Sequence, residues 1–109
     1  MFYMSMSILD QLFEVIQERK SADPETSYVA SLYQKGTPKI AQKVGEEAVE
    51  TVIEAMQGDK TKLSEESADL LFHLMILWAD QDLAPQDVFA ILESRLRISG
   101  HDEKKGRNT

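Results

Sequence analysis

Cysteine is absent from the 109 residues, which excludes disulfides, a thiolate metal site and a cysteine nucleophile together. Glycine and proline are sparse, five and three, and they fall at punctuation points rather than in low-complexity tracts. Positive charge is short as well, since twelve Lys and Arg face nineteen Asp and Glu for a net charge of −7. Nucleic acids favour a basic surface, so nucleic acid is not an expected partner. The longest strongly apolar run, Leu70–Trp78, falls far short of the roughly 20 residues that span a bilayer, so no membrane partner is expected. Met1–Ser7 has neither a basic n-region nor a small-residue cleavage site, and a soluble cytoplasmic protein is the expectation.

What is present is helical. Ile8, Leu9, Leu12, Phe13, Val15 and Ile16 recur at helical spacing behind Ser7, an N-cap candidate, and the helix runs to about Lys20. Ala22-Asp23-Pro24 breaks it. A short amphipathic stretch with Tyr28, Leu32 and Tyr33 on one side ends at Gly36. Thr37-Pro38 has the form of an N-cap followed by proline at the first helical position, opening a long helix to about Gln57 that Gly58-Asp59 stops. A second long helix is expected over roughly Thr61 to Gln81. Asp82–Pro85 turns the chain into a last helix with Val88, Phe89, Ile91, Leu92 and Leu96. No stretch alternates as a strand does. The fold class is therefore all-α, an antiparallel bundle of four to five helices in a single domain, 1–109, with 1–7 and about 99–109 expected to be flexible. A chain this size buries only a modest share of its surface alone, so a core completed by homodimerisation is also expected.

Two acidic clusters stand on the long helices, Glu46-Glu47-Ala48-Val49-Glu50 and Glu66-Ser67-Ala68-Asp69. Such strips are usually solvated, and the first long helix alone fits that reading, with Lys43 in its strip and Ile40, Val44, Val49, Val52, Ile53 and Met56 on its flanks and back. The second does not. Glu66, Asp69, His73 and Asp80 share a sector only about 60° wide, and Leu, Ile, Phe, Met and Trp cover most of the remainder. A helix apolar nearly all round is buried, so its acidic strip faces something other than open water. Two carboxylates about 6 Å apart repel by roughly 3 kcal/mol at an effective dielectric near 20. Five converging between two helices take up protons or bind cations. An all-carboxylate oxygen set suits a hard ion, Mg²⁺, Mn²⁺ or Ca²⁺. A ferritin-like di-iron site needs Glu-x-x-His pairs, but Leu70 and Ile98 precede His73 and His101 at that spacing. Hard cations with open positions serve phosphate chemistry.

Lys43–Glu50 followed by Glu66–Leu74 resembles the Glu-Glu-x-x-Glu…Glu-x-x-Asp signature of the all-α nucleoside-triphosphate pyrophosphatases, the MazG-like superfamily. Ser27–Leu32 leading to Gly36, the Lys39-Ile40…Lys43 run and the Ser99-Gly100-His101-Asp102-Glu103-Lys104 tail narrow the resemblance to its phosphoribosyl-ATP pyrophosphohydrolase family, over roughly Leu9 to Arg107. The resemblance implies hydrolysis of phosphoribosyl-ATP to phosphoribosyl-AMP and pyrophosphate, a step of histidine biosynthesis, with Mg²⁺ (Mn²⁺ as a substitute) in a homodimer. Glu46, Glu47, Glu50, Glu66 and Asp69 are the expected metal ligands, with Glu47 or Glu50 as the base. Lys35, Lys39 and Lys43 precede the acidic cluster and are candidates to neutralise substrate phosphates, against the alternative of solvated lysines. Arg97, Lys104 and Arg107 belong to a basic group whose likeness to the family's tail implies closure over those phosphates. His73 is either a substrate contact or a hydrogen-bonded core histidine, and Ser27 and Tyr28 are either substrate contacts or a cap and a packing ring. Two other readings stand beside this one: a pyrophosphatase for a different, non-standard nucleoside triphosphate, and a non-catalytic helical interaction module.

Overall fold

The computed structural model describes residues 7–97, and it contains five helices and no strand among them. They are α1 Ile8–Arg19, α2 Tyr28–Lys35, α3 Thr37–Gln57, α4 Lys60–Asp80 and α5 Pro85–Arg95. Expectations for residues 1–6 and 98–109 lie outside the described residues. No described helix is long and apolar enough to cross a membrane.

The caps explain where each helix starts. Ser7 Oγ accepts from the Asp10 amide at 3.1 Å, and Asp10 places negative charge in the first turn of α1, where the helix dipole favours it. Asp23 turns the next segment, its carboxylate taking the Glu25 amide at 2.9 Å and its carbonyl the Ser27 amide at 2.9 Å. Ser27 Oγ then caps α2 through the Ala30 amide at 3.1 Å.

The expected Thr37 cap is displaced by one residue. Gly36, at φ +93°, closes α2 and opens α3 by itself, so Thr37 is already helical. Its hydroxyl instead donates to Asp80 Oδ2 at 2.7 Å, tying the start of α3 to the end of α4. At the far end Gly58 is left-handed (φ +76°), and Asp59 Oδ1 caps α4 through the Lys62 amide at 3.0 Å. This tight turn makes α3 and α4 an antiparallel hairpin, each arm about 30 Å long at 1.5 Å per residue.

The core gathers Ile16 of α1, Val29 and Leu32 of α2, Ile40 of α3, and Met75, Ile76 and Ala79 of α4, with Leu9, Leu12, Phe13, Tyr33, Phe72, Leu77 and Trp78 packed around them. Each fully buried Ile, Leu or Met contributes on the order of 1.5–3 kcal/mol. Every α3 and α4 residue in this core comes from the first turn of α3 or the second half of α4. The C-terminus of α4 is pinned there as well. Lys20 Nζ donates to the Ala79 carbonyl at 3.1 Å while lying over the Tyr33 ring, and Tyr33 Oη donates to the Ile76 carbonyl at 2.9 Å. Helix α5 packs on α1, where Gln86 Nε2 donates to Asp10 Oδ1 at 2.8 Å.

Candidate metal centre

The hairpin decides which carboxylates meet. Glu47, on the side of α3 that faces α4, is 7% exposed. Across from it Glu66 is half-buried and Asp69 exposed, and one carboxylate oxygen from each of the three lies within 4.8 Å of the others. Their spacing of three on α4 puts Glu66 and Asp69 side by side, as the sequence requires. Glu50, exposed and one turn beyond Glu47, lies within hydrogen-bonding reach of Glu66. Four of the five expected ligands thus sit along one seam.

Glu46 is not part of the three-carboxylate cluster. Its carboxylate takes Gln42 Nε2 at 2.7 Å and Lys43 Nζ at 3.2 Å, and these two hydrogen bonds hold its pKa below the ordinary value. Lys43 also reaches Glu47 Oε2 at 3.8 Å, so it is the one cation bordering the cluster among the described residues. Its own pKa is raised, chiefly by the hydrogen bond to Glu46.

The electrostatics of Glu66 test whether a cation fits. Burial, then the hydrogen bond and charge of Glu50, then the charges of Glu47 and Asp69 push its carboxyl up to about 7. Its Oε1 is buried with no hydrogen-bond partner. A carboxylate oxygen enclosed among other carboxylates and left without a donor is the acceptor a hard divalent ion satisfies. Glu54, in the same strip of α3 but outside the expected ligand set, also has a buried, unpartnered Oε1. Its spacing of four from Glu50 and seven from Glu47 was the available signal.

The remaining expected residues are spread more widely. Lys39 is half-buried and near enough to lower the pKa of Glu46 further, while Lys35 is exposed in the last turn of α2. Arg97 is exposed just beyond α5, and Lys104 and Arg107 lie outside the described residues. His73 is 6% exposed, with both ring nitrogens engaged: Nδ1 to the Asp69 carbonyl at 2.8 Å and Nε2 to Tyr28 Oη at 2.7 Å. The periodicity that put His73 on the acidic strip gave no sign of Tyr28, which comes from a different helix. Tyr28 is half-exposed. Its hydroxyl pKa is raised, mainly by burial at that end of the ring, against the pull of Lys43 and with the push of Glu47, Glu46 and Asp69.

The profile of the family described as phosphoribosyl-ATP pyrophosphohydrolase matches residues 9–96, which include α2 to α5, all of α1 but its first residue, and the whole carboxylate seam. The chain belongs to the phosphoribosyl-ATP pyrophosphohydrolase family. Relatives named phosphoribosyl-ATP pyrophosphatase agree along nearly their full length. The Azospirillum brasilense protein is 58% identical over 105 residues, 96% of this chain and 95% of that one. The Geobacter sulfurreducens protein is 50% identical over 101 residues, covering 93% and 94%, and the Cereibacter sphaeroides protein 47% over 102 residues, covering 94% and 99%.

Proposed function

We infer that the chain hydrolyses phosphoribosyl-ATP to phosphoribosyl-AMP and pyrophosphate, the reaction that its family and relatives are named for. Water adds across the anhydride between the α- and β-phosphates: one P–O bond forms, the bridging P–O bond breaks, and pyrophosphate leaves. The observation that carries the reading is the meeting of one carboxylate oxygen each from Glu47, Glu66 and Asp69 within 4.8 Å, beside the buried Glu66 Oε1 that has no hydrogen-bond partner.

Glu47, Glu66 and Asp69 would hold Mg²⁺, with Glu50 beside them and Mn²⁺ as a substitute. All are oxygen donors, and zinc would call for His or Cys. When bound, the cation supplies neutralisation of the polyphosphate charge and of the departing pyrophosphate. Of the two candidate bases, Glu50 suits the role better, because it is exposed and stands outside the three-carboxylate cluster while Glu47 is enclosed by it. Glu50 takes the water proton; Glu46 keeps Lys43 aligned along the edge of the seam. Lys43 and Lys39 face the phosphates from that edge. Lys35 and Arg97 would add positive charge from outside the seam, and Lys104 and Arg107 would contribute charge of the same sign.

The active form is a homodimer. On α3, Val49, Val52, Ile53 and Met56 follow i, i+3, i+4, i+7 spacing roughly opposite Glu47, and all four are exposed, Met56 by 82%. A second copy of the hairpin laid on this stripe completes a four-helix bundle. Two-fold symmetry brings the same apolar residues together from both sides, which makes the contact self-complementary. Sedimentation velocity should give a species of twice the chain mass.

Pyrophosphate release from phosphoribosyl-ATP, with Mg²⁺ and with EDTA, tests the activity. Release that stops with EDTA and far exceeds release from ordinary nucleoside triphosphates is expected. Equal rates on all triphosphates would shift the reading to a broad pyrophosphatase, and no release from any would favour an interaction module.

A further inference from the structure

One hydrogen-bonded pair beside the seam has a fixed polarity. His73 Nδ1 is 2.8 Å from the backbone carbonyl of Asp69, and a carbonyl oxygen can only accept, so Nδ1 carries the proton. In the neutral imidazole Nε2 is then bare, and it accepts from the Tyr28 hydroxyl at 2.7 Å. The ring cannot readily turn to reverse this order. His73 is buried, Phe72 meets it edge-on at 5.3 Å and Tyr28 at 5.6 Å, and Tyr28 in turn stacks on Phe72 at 6.4 Å. With its proton committed to His73, the Tyr28 oxygen presents lone pairs and no donor. Through His73 that oxygen is joined to the backbone of Asp69 beside the candidate metal centre, and it feels the charges of Lys43, Glu47, Glu46 and Asp69. It takes no other hydrogen bond among the described residues.

An oxygen of this polarity repels phosphate oxygens and attracts O–H groups. We propose that Tyr28, oriented by His73, is a hydrogen-bond acceptor for a hydroxyl donor beside the bound polyphosphate, supplied either by a sugar hydroxyl of the nucleotide or by the attacking water. His73 is the positioning residue: it fixes which way the Tyr28 hydroxyl points and touches no reacting atom itself. The hydrogen bond that His73 Nδ1 donates to the Asp69 carbonyl also couples this acceptor to the backbone of a proposed metal ligand, so one turn of α4 sets both. The inference rests on the pyrophosphohydrolase reading above.

The experiment measures kcat and KM for phosphoribosyl-ATP with Mg²⁺ in wild type, Tyr28→Phe, His73→Leu, His73→Gln and the Tyr28→Phe/His73→Leu double variant, with melting midpoints as a check on folding. Phenylalanine keeps the ring and its packing, so only the oxygen is lost. A fall in kcat/KM of about tenfold is expected for Tyr28→Phe, the size of one neutral hydrogen bond. A similar fall is expected for His73→Leu, with no further loss in the double variant, because histidine acts through the tyrosine oxygen. His73→Gln, whose amide oxygen can accept from Tyr28, should recover part of the activity. A loss confined to KM assigns the donor to the sugar; a loss confined to kcat assigns it to the water. Tyr28→Phe at wild-type kcat/KM, or a double variant with the product of both single losses, would overturn the proposal. If His73→Leu does not fold, Tyr28→Phe and His73→Gln decide alone. Wild type that releases no pyrophosphate counts against the pyrophosphohydrolase reading itself, which separates the two failures.

Discussion

The two ends of the α3–α4 hairpin are made from the same pair of helices and have opposite surroundings. At one end Ile40, Met75, Ile76 and Ala79 are buried beneath α1 and α2, and the final carbonyls of α4 are held by Lys20 and Tyr33. At the other, Val49, Val52, Ile53 and Met56 stand in the open. The carboxylate seam lies where one environment gives way to the other. A site there has a rigid wall on one side and an open approach on the other, which suits a ligand set that must be fixed yet admit a large nucleotide. The contrast also explains why stability and activity should respond to different residues.

The largest expected effect is at the boundary itself. Asp69→Asn should lower kcat by more than the roughly 100-fold that loss of a ligand's outer partner costs, with helicity by circular dichroism unchanged. Activity within a fewfold of wild type would remove Asp69 from the metal set. At the packed end, Ile76→Ala should cost about 2–5 kcal/mol by chemical denaturation, since the cavity it leaves is closed on every side. Ile53→Ala at the open end, measured in the monomer, should cost far less. Val52→Asp places a charge in the exposed stripe and should convert the proposed dimer to monomer in sedimentation velocity. A dimer of undiminished strength would put the interface elsewhere, for instance on α5, where Ile91, Leu92 and Leu96 are also exposed.

The smallest effect is a pH dependence. The Glu66 carboxyl is pushed up to about 7 in the metal-free protein, so between its ordinary value of 4.5 and about 7 the folded chain holds a proton that the unfolded chain has released. Metal-free stability should therefore fall as pH rises through that window. Apparent Mg²⁺ affinity should rise across the same window, because the proton must leave before the ion binds. Melting midpoints in EDTA and in Mg²⁺, from pH 5 to pH 8, check both trends.

Helix boundaries were legible because caps and breakers are local: Ser7, Ser27, Gly36, Gly58 and Asp59 each act within a few residues of where they stand. Thr37 was misplaced by one position because a glycine that ends one helix and starts the next is not visible in a cap pattern. The burial of α4 followed from its nearly continuous apolar surface. Helix α3 was harder. Its wheel fits an ordinary amphipathic helix, with acids to water and Val49, Val52, Ile53 and Met56 inward, whereas in the fold Glu47 turns inward and those four turn out. A wheel gives the sides of a helix but not which side meets a neighbour. The Tyr28–His73 bond joins residues 45 apart, and no periodicity could have revealed it.

The most direct measurement is a Mg²⁺ titration of the melting midpoint in wild type and in the Glu66→Gln/Asp69→Asn double variant. An ion that binds the folded state alone raises the midpoint with its concentration. Wild type should rise steadily as Mg²⁺ is added, and the double variant, with two carboxylates of the seam neutralised, should begin higher in EDTA and stay flat. Parallel rises in both proteins, or no rise in either, would contradict a divalent cation held between α3 and α4.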